Sequence, residues 1–573
     1  MNVHHALLGM GLMLILLGGF TAHEIQTVGG SVRVDDVRFA GADGRELSAL
    51  LYTPDGVDAD HKAPGVLAVH GYINSRETQS GFAIELARRG YVVLALDQAG
   101  HGYSRPPAFA NGFGGPDALA FLRDLPTVDT DNIGLEGHSM GGWAVLAAAA
   151  AYPDGYRAMV LEGSAPGVFG APAGTLDFPR NVAVVFSEYD EFSDLMWGVP
   201  TGADVTHSPK LLEMFGSLTP VVPGKLYGYL EFGTARVLYT PPVTHPGDHL
   251  STAAIGAAVD WFATTLTGGT PQPAHHQIWY WKELTTLVAL VGMVLTVIGL
   301  GLTMLRWRTL QWLTVPLPLT TKPIRPGWSA AMTALLPVLT YFPFFDLAQT
   351  PAWPVSPHAP QQLSNGLILW AFVNATLGFI AIVILGRGGA TLASVGVWPL
   401  GFDLKRLFGA AAAACAIVAA AYLTLFAVDA AFNVDFRFWV VAFKLFAPWQ
   451  VVPFLVYLVP MSVMFVIVGA SLNQFIAGAS TGRACLRCVL ILTNGFIALL
   501  TLQYVPLTAG IPLPLGHPLL TVVAIQFVVL LAIAGVIFAV FQRATGSVYL
   551  AAFVNALLIT WSAVAGTATH YPL

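Results

Sequence analysis

From residue 284 onward the sequence runs in apolar stretches of about 18 or more residues with few charges, broken by short polar joints. No other feature restricts the fold as much. In hydrocarbon every backbone N–H and C=O must be satisfied within the protein, so each such stretch reads as a membrane-spanning helix. The stretches fall at 284–305, 328–346, 365–386, 408–428, 450–471, 487–507, 518–541 and 547–565. A shorter apolar run near the start, "ALLGMGLMLILLGGF", has the length of a signal h-region. With no clear A-x-A site ahead of His23, residues 1–24 read as an uncleaved signal anchor in preference to a cleaved signal peptide, which brings the spans to about nine.

Basic residues set the orientation. Arg306, Arg308, Lys322 and Arg325 occupy one connection, Arg387, Lys405 and Arg406 another, Arg483 and Arg487 a third, and Arg543 a fourth. Loops of this kind face the cytoplasm. The intervening loops, such as "AQTPAWPVSPHAPQQ" and "LTAGIPLPLGH", carry no Lys or Arg, with one exception that holds Arg437 and Lys444. Counting back across 284–305 predicts that the residues before it lie outside the cytoplasm.

Those residues have a different character. The average composition, 55% hydrophobic and 10% charged, hides a globular part at 28–267 that holds most of the Asp and Glu, a linker at 268–283 and the multi-span region 284–573. The net charge of −6 comes without a Lys/Arg cluster interleaved with aromatics, which argues against nucleic acid as a partner. All three cysteines, Cys415, Cys485 and Cys488, lie in the apolar half, so the globular part has no disulfide; the lone CxxC lacks a partner pair and reads as two thiols on a helix.

Within 28–267, "SVRVDDVRFAGADGRELSALLYTP" reads as paired antiparallel strands around a Gly-Ala-Asp-Gly turn. Buried-type strands then alternate with helical segments through "APGVLAVHG", "YVVLALDQAG", "NIGLEG", "YRAMVLEG", "NVAVVFSE" and "ARVLYTP". That pattern predicts an α/β fold: a doubly wound, mainly parallel sheet covered on both faces, with sites at the carboxyl ends of its strands.

One strand end carries Gly137-His138-Ser139-Met140-Gly141, a G-x-S-x-G sequence placed between a strand and a small-residue helix. In that setting the glycines allow a tight turn that exposes the serine as a nucleophile. Its partners are expected after later strands, acid first and histidine second. Asp190 follows the strand 182–186, with Glu188 and Glu191 as rivals; His245 follows the next strand, with His249 as the alternative base two residues before a helix N-cap at Ser251. For the oxyanion, "LAVHGYINSRE" places Tyr72 after an earlier strand, so the backbone N–H groups of Tyr72 and Met140 are the expected donors. The Tyr72 phenol is a further candidate, and His70 reads as a loop former.

"VLAVHGY", "VVLALDQAGHGYS", "GLEGHSMGG", the Asp190 strand end and the histidine loop together resemble the α/β-hydrolase superfamily, nearest its dienelactone hydrolase and prolyl-oligopeptidase-like branch, over roughly 30–267. The resemblance implies acyl transfer from an ester, thioester or amide to water: Ser139 attacks, His245 relays the proton, Asp190 orients the imidazole, and no metal or organic cofactor takes part. The implied partner is a small-molecule or lipid-like acyl substrate. Where lipases insert a large lid the chain is short; the less patterned segment 191–235 carries Trp197, Met214, Phe215 and Tyr227, which line an acyl site or pack a cap. Every assigned group lies between residues 30 and 267, so the site is expected to be complete without the spans.

In the apolar half, "FQRATGSVYLAAFVNALLITW" is similar to the end of the CAAX-type intramembrane protease family. Asn555 stands where that family has histidine, and no Glu-Glu-x-x-x-Arg precedes it, so a metal-dependent membrane protease is disfavoured. The sequence therefore predicts a membrane-anchored extracytoplasmic serine hydrolase. The alternative is a transporter or lipid-binding membrane protein whose hydrolase-like part senses ligand; a sensor has no need of a complete Ser, Asp, His and oxyanion set.

Overall fold

The computed structural model describes residues 2–315, 326–385 and 404–573; Lys322, Arg325, Arg387 and the end of the stretch 365–386 lie outside the described residues. The chain forms two compact units. One comprises Phe20–Thr285, Gln503–Pro518 and Gly566–Leu573, the other Met1–Gly19, Thr286–Leu502 and Leu519–Ala565.

The first unit is built on an eight-stranded sheet of β1 (Val32–Ala40), β2 (Glu46–Pro54), β3 (Ala63–Val69), β4 (Val92–Asp97), β5 (Val128–His138), β6 (Ala158–Glu162), β7 (Val182–Val185) and β8 (Arg236–Tyr239), in the order β1-β2-β4-β3-β5-β6-β7-β8. β1 and β2 pair antiparallel, as do β2 and β4; the remaining pairs are parallel. Every residue of β3, β4, β6 and β7 is buried, as parallel strands covered on both faces must be. Successive side chains point to opposite faces. Thus Leu67, Val69, Leu94 and Leu96 join a core with Leu122 of α3 (Gly115–Asp124) and Leu146 of α4 (Met140–Ala151). Val66, Ala68, Val93 and Ala95 join another with Phe82 of α2 (Ser80–Ala87) and Phe262 of α7 (Thr252–Thr265). Ser251 caps α7, its hydroxyl accepting the Ala254 N–H at 3.1 Å.

Between β7 and β8 lie α5 (Ser193–Trp197) and α6 (Pro209–Phe215). Trp197, Met214 and Phe215 are buried in the core on the α3/α4 face, and Tyr227 packs edge-on against Phe215 with ring centroids 5.5 Å apart. These four side chains therefore pack the cap. The segment's exposed part is the loop beyond it, with Leu218, Lys225, Tyr229 and Phe232 at the surface.

Among the described residues nine helices are long and apolar enough to cross a membrane. The first, α1 (Val3–Gln26), is longer than its apolar run, because the helix continues through polar residues at both ends. Large side chains such as Leu16, Phe372, Leu423 and Val459 face outward on these helices. Polar groups in the second unit bond between helices: Asn374 Nδ2 donates to Thr340 Oγ1 at 2.9 Å, Gln542 Nε2 to Asn473 Oδ1 at 3.2 Å, and Asn555 Nδ2 to the Ala534 carbonyl at 3.3 Å. In the one exceptional basic loop, Arg437 Nε lies 2.7 Å from Asp435 and both are buried.

Candidate active site

β5 ends at His138 and α4 begins at Met140, so Ser139 alone turns the chain, at φ 54° and ψ −120°. A non-glycine residue in such a region costs about 1–3 kcal/mol and persists only where its surroundings impose it. Here they do. The Ser139 N–H donates to the Glu162 carbonyl at 2.7 Å. A Cβ at Gly137 would lie 2.3 Å from the Gly141 carbonyl oxygen, and one at Gly141 2.0 Å from that of Val69. The two motif glycines let strand and helix approach closely enough to hold the serine in this turn.

The chain continues past β7 to Asp190, whose carboxylate is buried. Its Oδ1 accepts the Phe192 N–H at 2.7 Å, and its Oδ2 lies 2.8 Å from His245 Nδ1. The Nδ1–H donates in this pair, which leaves Nε2 as a bare acceptor. His245 also sits beside the end of β6, the neighbour of β5: a Cβ on Gly163, the residue after Glu162, would be 2.8 Å from His245 Nδ1. Both backbone groups of His245 are held by neighbours of the other two residues. Its N–H donates to Glu191 Oε2 at 2.8 Å, and its carbonyl accepts from His138 Nε2 at 3.0 Å. The Phe192 ring packs on the imidazole, with centroids 4.5 Å apart.

His249 points elsewhere. Gln79 Nε2 donates to Glu136 at 2.9 Å, so Gln79 Oε1 accepts the His249 Nε2–H, also at 2.9 Å. The rival acid Glu191 is occupied with the His245 backbone, and Glu188 is half-buried.

The Tyr72 and Met140 N–H groups have no hydrogen-bond acceptor among the described residues. The loop carrying Tyr72 is fastened on both sides. His70 donates from Nδ1 to the Gly71 carbonyl at 2.6 Å and accepts the Gln98 N–H on Nε2 at 3.1 Å; the Arg76 N–H donates to Asp97 Oδ1 at 2.9 Å. His70 is thus a loop former. The Tyr72 phenol is engaged by His570, with 3.1 Å between Oη and Nε2.

Burial dominates the electrostatics. It lowers the His245 pKa to about 4 and raises that of Asp190 well above the usual carboxylate range, with Asp248 adding to the rise and the Phe192 N–H opposing it. The imidazole is therefore neutral at physiological pH. His138, Tyr504 and His570 had no sequence signal, and Glu191 was legible only as a rival acid. His138 is the variable position of the motif, and the other contacts depend on tertiary folding.

Residues 64–191 match the family model described as alpha/beta hydrolase fold. This unit is an α/β-hydrolase domain with a mainly parallel sheet, and the chain also has a helical region with several apolar helices. The monoacylglycerol lipase of Mycolicibacterium smegmatis is 36% identical over 140 residues, covering 22% of this chain and 45% of that protein. The serine hydrolase BPHL of Homo sapiens is 31% identical over 133 residues, covering 22% of this chain and 46% of that protein. The chain spans about half the length of the curated relatives it matches. Among solved structures, an esterase of Pyrococcus furiosus aligns with 15% identity and a TM-score of 0.30, over 42% of this chain and 96% of that one.

Proposed function

We propose that the chain is a membrane-anchored, extracytoplasmic serine hydrolase that cleaves an ester, thioester or amide through Ser139, His245 and Asp190. The observation that carries this reading is the strained Ser139 turn together with a histidine whose Nδ1 is held at 2.8 Å by a buried acid. Neutral His245 takes the Ser139 proton on Nε2 as Oγ attacks the carbonyl carbon, and Asp190 stabilises the imidazolium that forms. The Tyr72 and Met140 N–H groups stabilise the oxyanion; the imidazolium then protonates the leaving group, and water hydrolyses the acyl-enzyme by the same relay. A lipid-like acyl substrate is favoured by two things. One relative is named a monoacylglycerol lipase, and the spans would keep the site near the bilayer, raising the effective concentration of a membrane-resident ester.

Protonation of His245 removes the base, so kcat/KM for a soluble ester should fall on the acid side. Burial lowers the His245 pKa and raises that of Asp190, so the limb belongs to the pair and not to either group alone. A rate that does not fall on acidification, or an acid limb left unchanged in His245→Ala, contradicts the assignment.

Among the described residues an even number of apolar helices, six between Trp279 and Thr508 and two more between Pro518 and Gly566, separates successive parts of the hydrolase-fold unit. Each set returns the chain to its starting side, which agrees with Gln503–Pro518 and Gly566–Leu573 belonging to that unit. Lys225, Arg306 and Arg308 are all exposed on the chain, so sidedness alone decides their fate. Trypsin added to intact cells or right-side-out vesicles should cut at Lys225 and spare Arg306 and Arg308. Cutting at the arginines with Lys225 protected would reverse the topology.

A further inference from the structure

Two side chains from far along the sequence end on groups that set the geometry of the site, and both belong to the hydrolase-fold unit. Tyr504 donates its hydroxyl to Glu191 Oε1 at 2.6 Å, while Glu191 Oε2 accepts the His245 N–H at 2.8 Å. One carboxylate thus ties Tyr504 to the backbone of the histidine that faces Asp190. On the other side, the Tyr72 hydroxyl and His570 Nε2 lie 3.1 Å apart, and an unprotonated Nε2 accepts the phenol proton. The His570 ring also packs edge-on against Tyr72 and Phe109, with centroids 5.9 and 5.2 Å away.

The segment bearing His570 is built into the unit. The Thr569 N–H donates to the Gly100 carbonyl at 2.8 Å, and the Thr569 carbonyl accepts the Ala108 N–H at 2.7 Å. At Gly100 the backbone is left-handed, φ 73°, and a Cβ there would fall 2.7 Å from the Thr569 oxygen and 2.4 Å from the Ala108 nitrogen. Ala568 and Thr569 are buried. The glycine in "LDQAGHGYS" therefore makes room for residues some 470 positions later in the same sequence.

Taking Ser139, His245 and Asp190 as the catalytic triad, we propose that Tyr504 and His570 are positioning residues for the reaction. Tyr504, through Glu191, sets the catalytic histidine. His570, through the Tyr72 phenol, sets the oxyanion donor of the same loop. The site is then incomplete within residues 30–267, contrary to the expectation from sequence. Small displacements of the base or of an oxyanion donor fall on the chemical step, because those groups act more strongly in the transition state than in the bound substrate.

The test uses the full chain and a short, water-soluble ester. Tyr504→Phe removes only a hydroxyl, and His570→Ala removes the acceptor. Each should lower kcat about tenfold with KM within about twofold and thermal melting nearly unchanged. His570→Gln, which restores an acceptor, should recover most of the loss. Wild-type kcat in both single variants overturns the proposal. So does a rise in KM at constant kcat, or a loss of kcat that follows thermal destabilisation and is not recovered by Gln. Ser139→Ala in the same series keeps the two readings apart: turnover persisting there removes the triad itself, whereas a dead Ser139→Ala beside unimpaired Tyr504→Phe and His570→Ala removes only the positioning role.

Discussion

Ser139→Ala is expected to lower kcat for a soluble ester by at least about 10³-fold, the largest effect of any single substitution in the chain. The residue's place in the fold makes the loss specific. The strand-to-helix turn is imposed by the Glu162 carbonyl and by the close approach of Gly137 and Gly141 to their neighbours. Alanine fits that backbone as well as serine does, so thermal melting should stay within a few degrees of wild type. What disappears is the hydroxyl proposed as the nucleophile. Residual turnover would come from direct attack of water on the carbonyl, with the Tyr72 and Met140 N–H groups stabilising the oxyanion. Turnover within tenfold of wild type would mean that another group is the nucleophile.

His245→Ala should cost kcat nearly as much, about 10³-fold, whereas His249→Ala should cost less than about tenfold. The contrast rests on where each imidazole is directed. His245 gives Nδ1–H to Asp190 and keeps Nε2 bare, while His249 spends Nε2–H on Gln79 beneath the site. His249→Ala would leave the Gln79 carbonyl short of a donor, an effect that belongs to stability more than to rate. Asp190→Asn should also lower kcat strongly, because an amide facing Nδ1 favours the wrong tautomer; Glu188→Gln should stay close to wild type. The reverse ranking of the two histidines would exchange their roles.

The parts of this fold written in local pattern were legible in the sequence. β3 and β4 are continuous apolar runs because both faces of the sheet are covered, and the G-x-S-x-G residues turn because the chain must pass from strand to helix there. Ser251 was readable as an N-cap from its place just before the last amphipathic helix. Segment 191–235 was not, since Trp197, Met214 and Phe215 serve a core or a pocket equally well by composition and only packing decides. His138 sits at a motif position that accepts any residue, and its bond to the His245 carbonyl bridges 107 residues of sequence. Tyr504 reads as one more aromatic near the end of an apolar run, and His570 as a stray polar residue beyond another. Their meaning lies in Glu191 and Tyr72, which no periodicity connects to them.

The central claim, that Ser139 is a base-activated nucleophile, is tested most directly by mapping a covalent probe. The purified chain is treated with a fluorophosphonate, digested, and the adduct located by tandem mass spectrometry. The predicted result is one adduct, on Ser139 within the peptide that contains "GHSMGGWAVLAAAA", absent from Ser139→Ala and strongly slowed in His245→Ala. An adduct on a different residue, or an enzyme that hydrolyses esters while Ser139 stays unmodified, would contradict it.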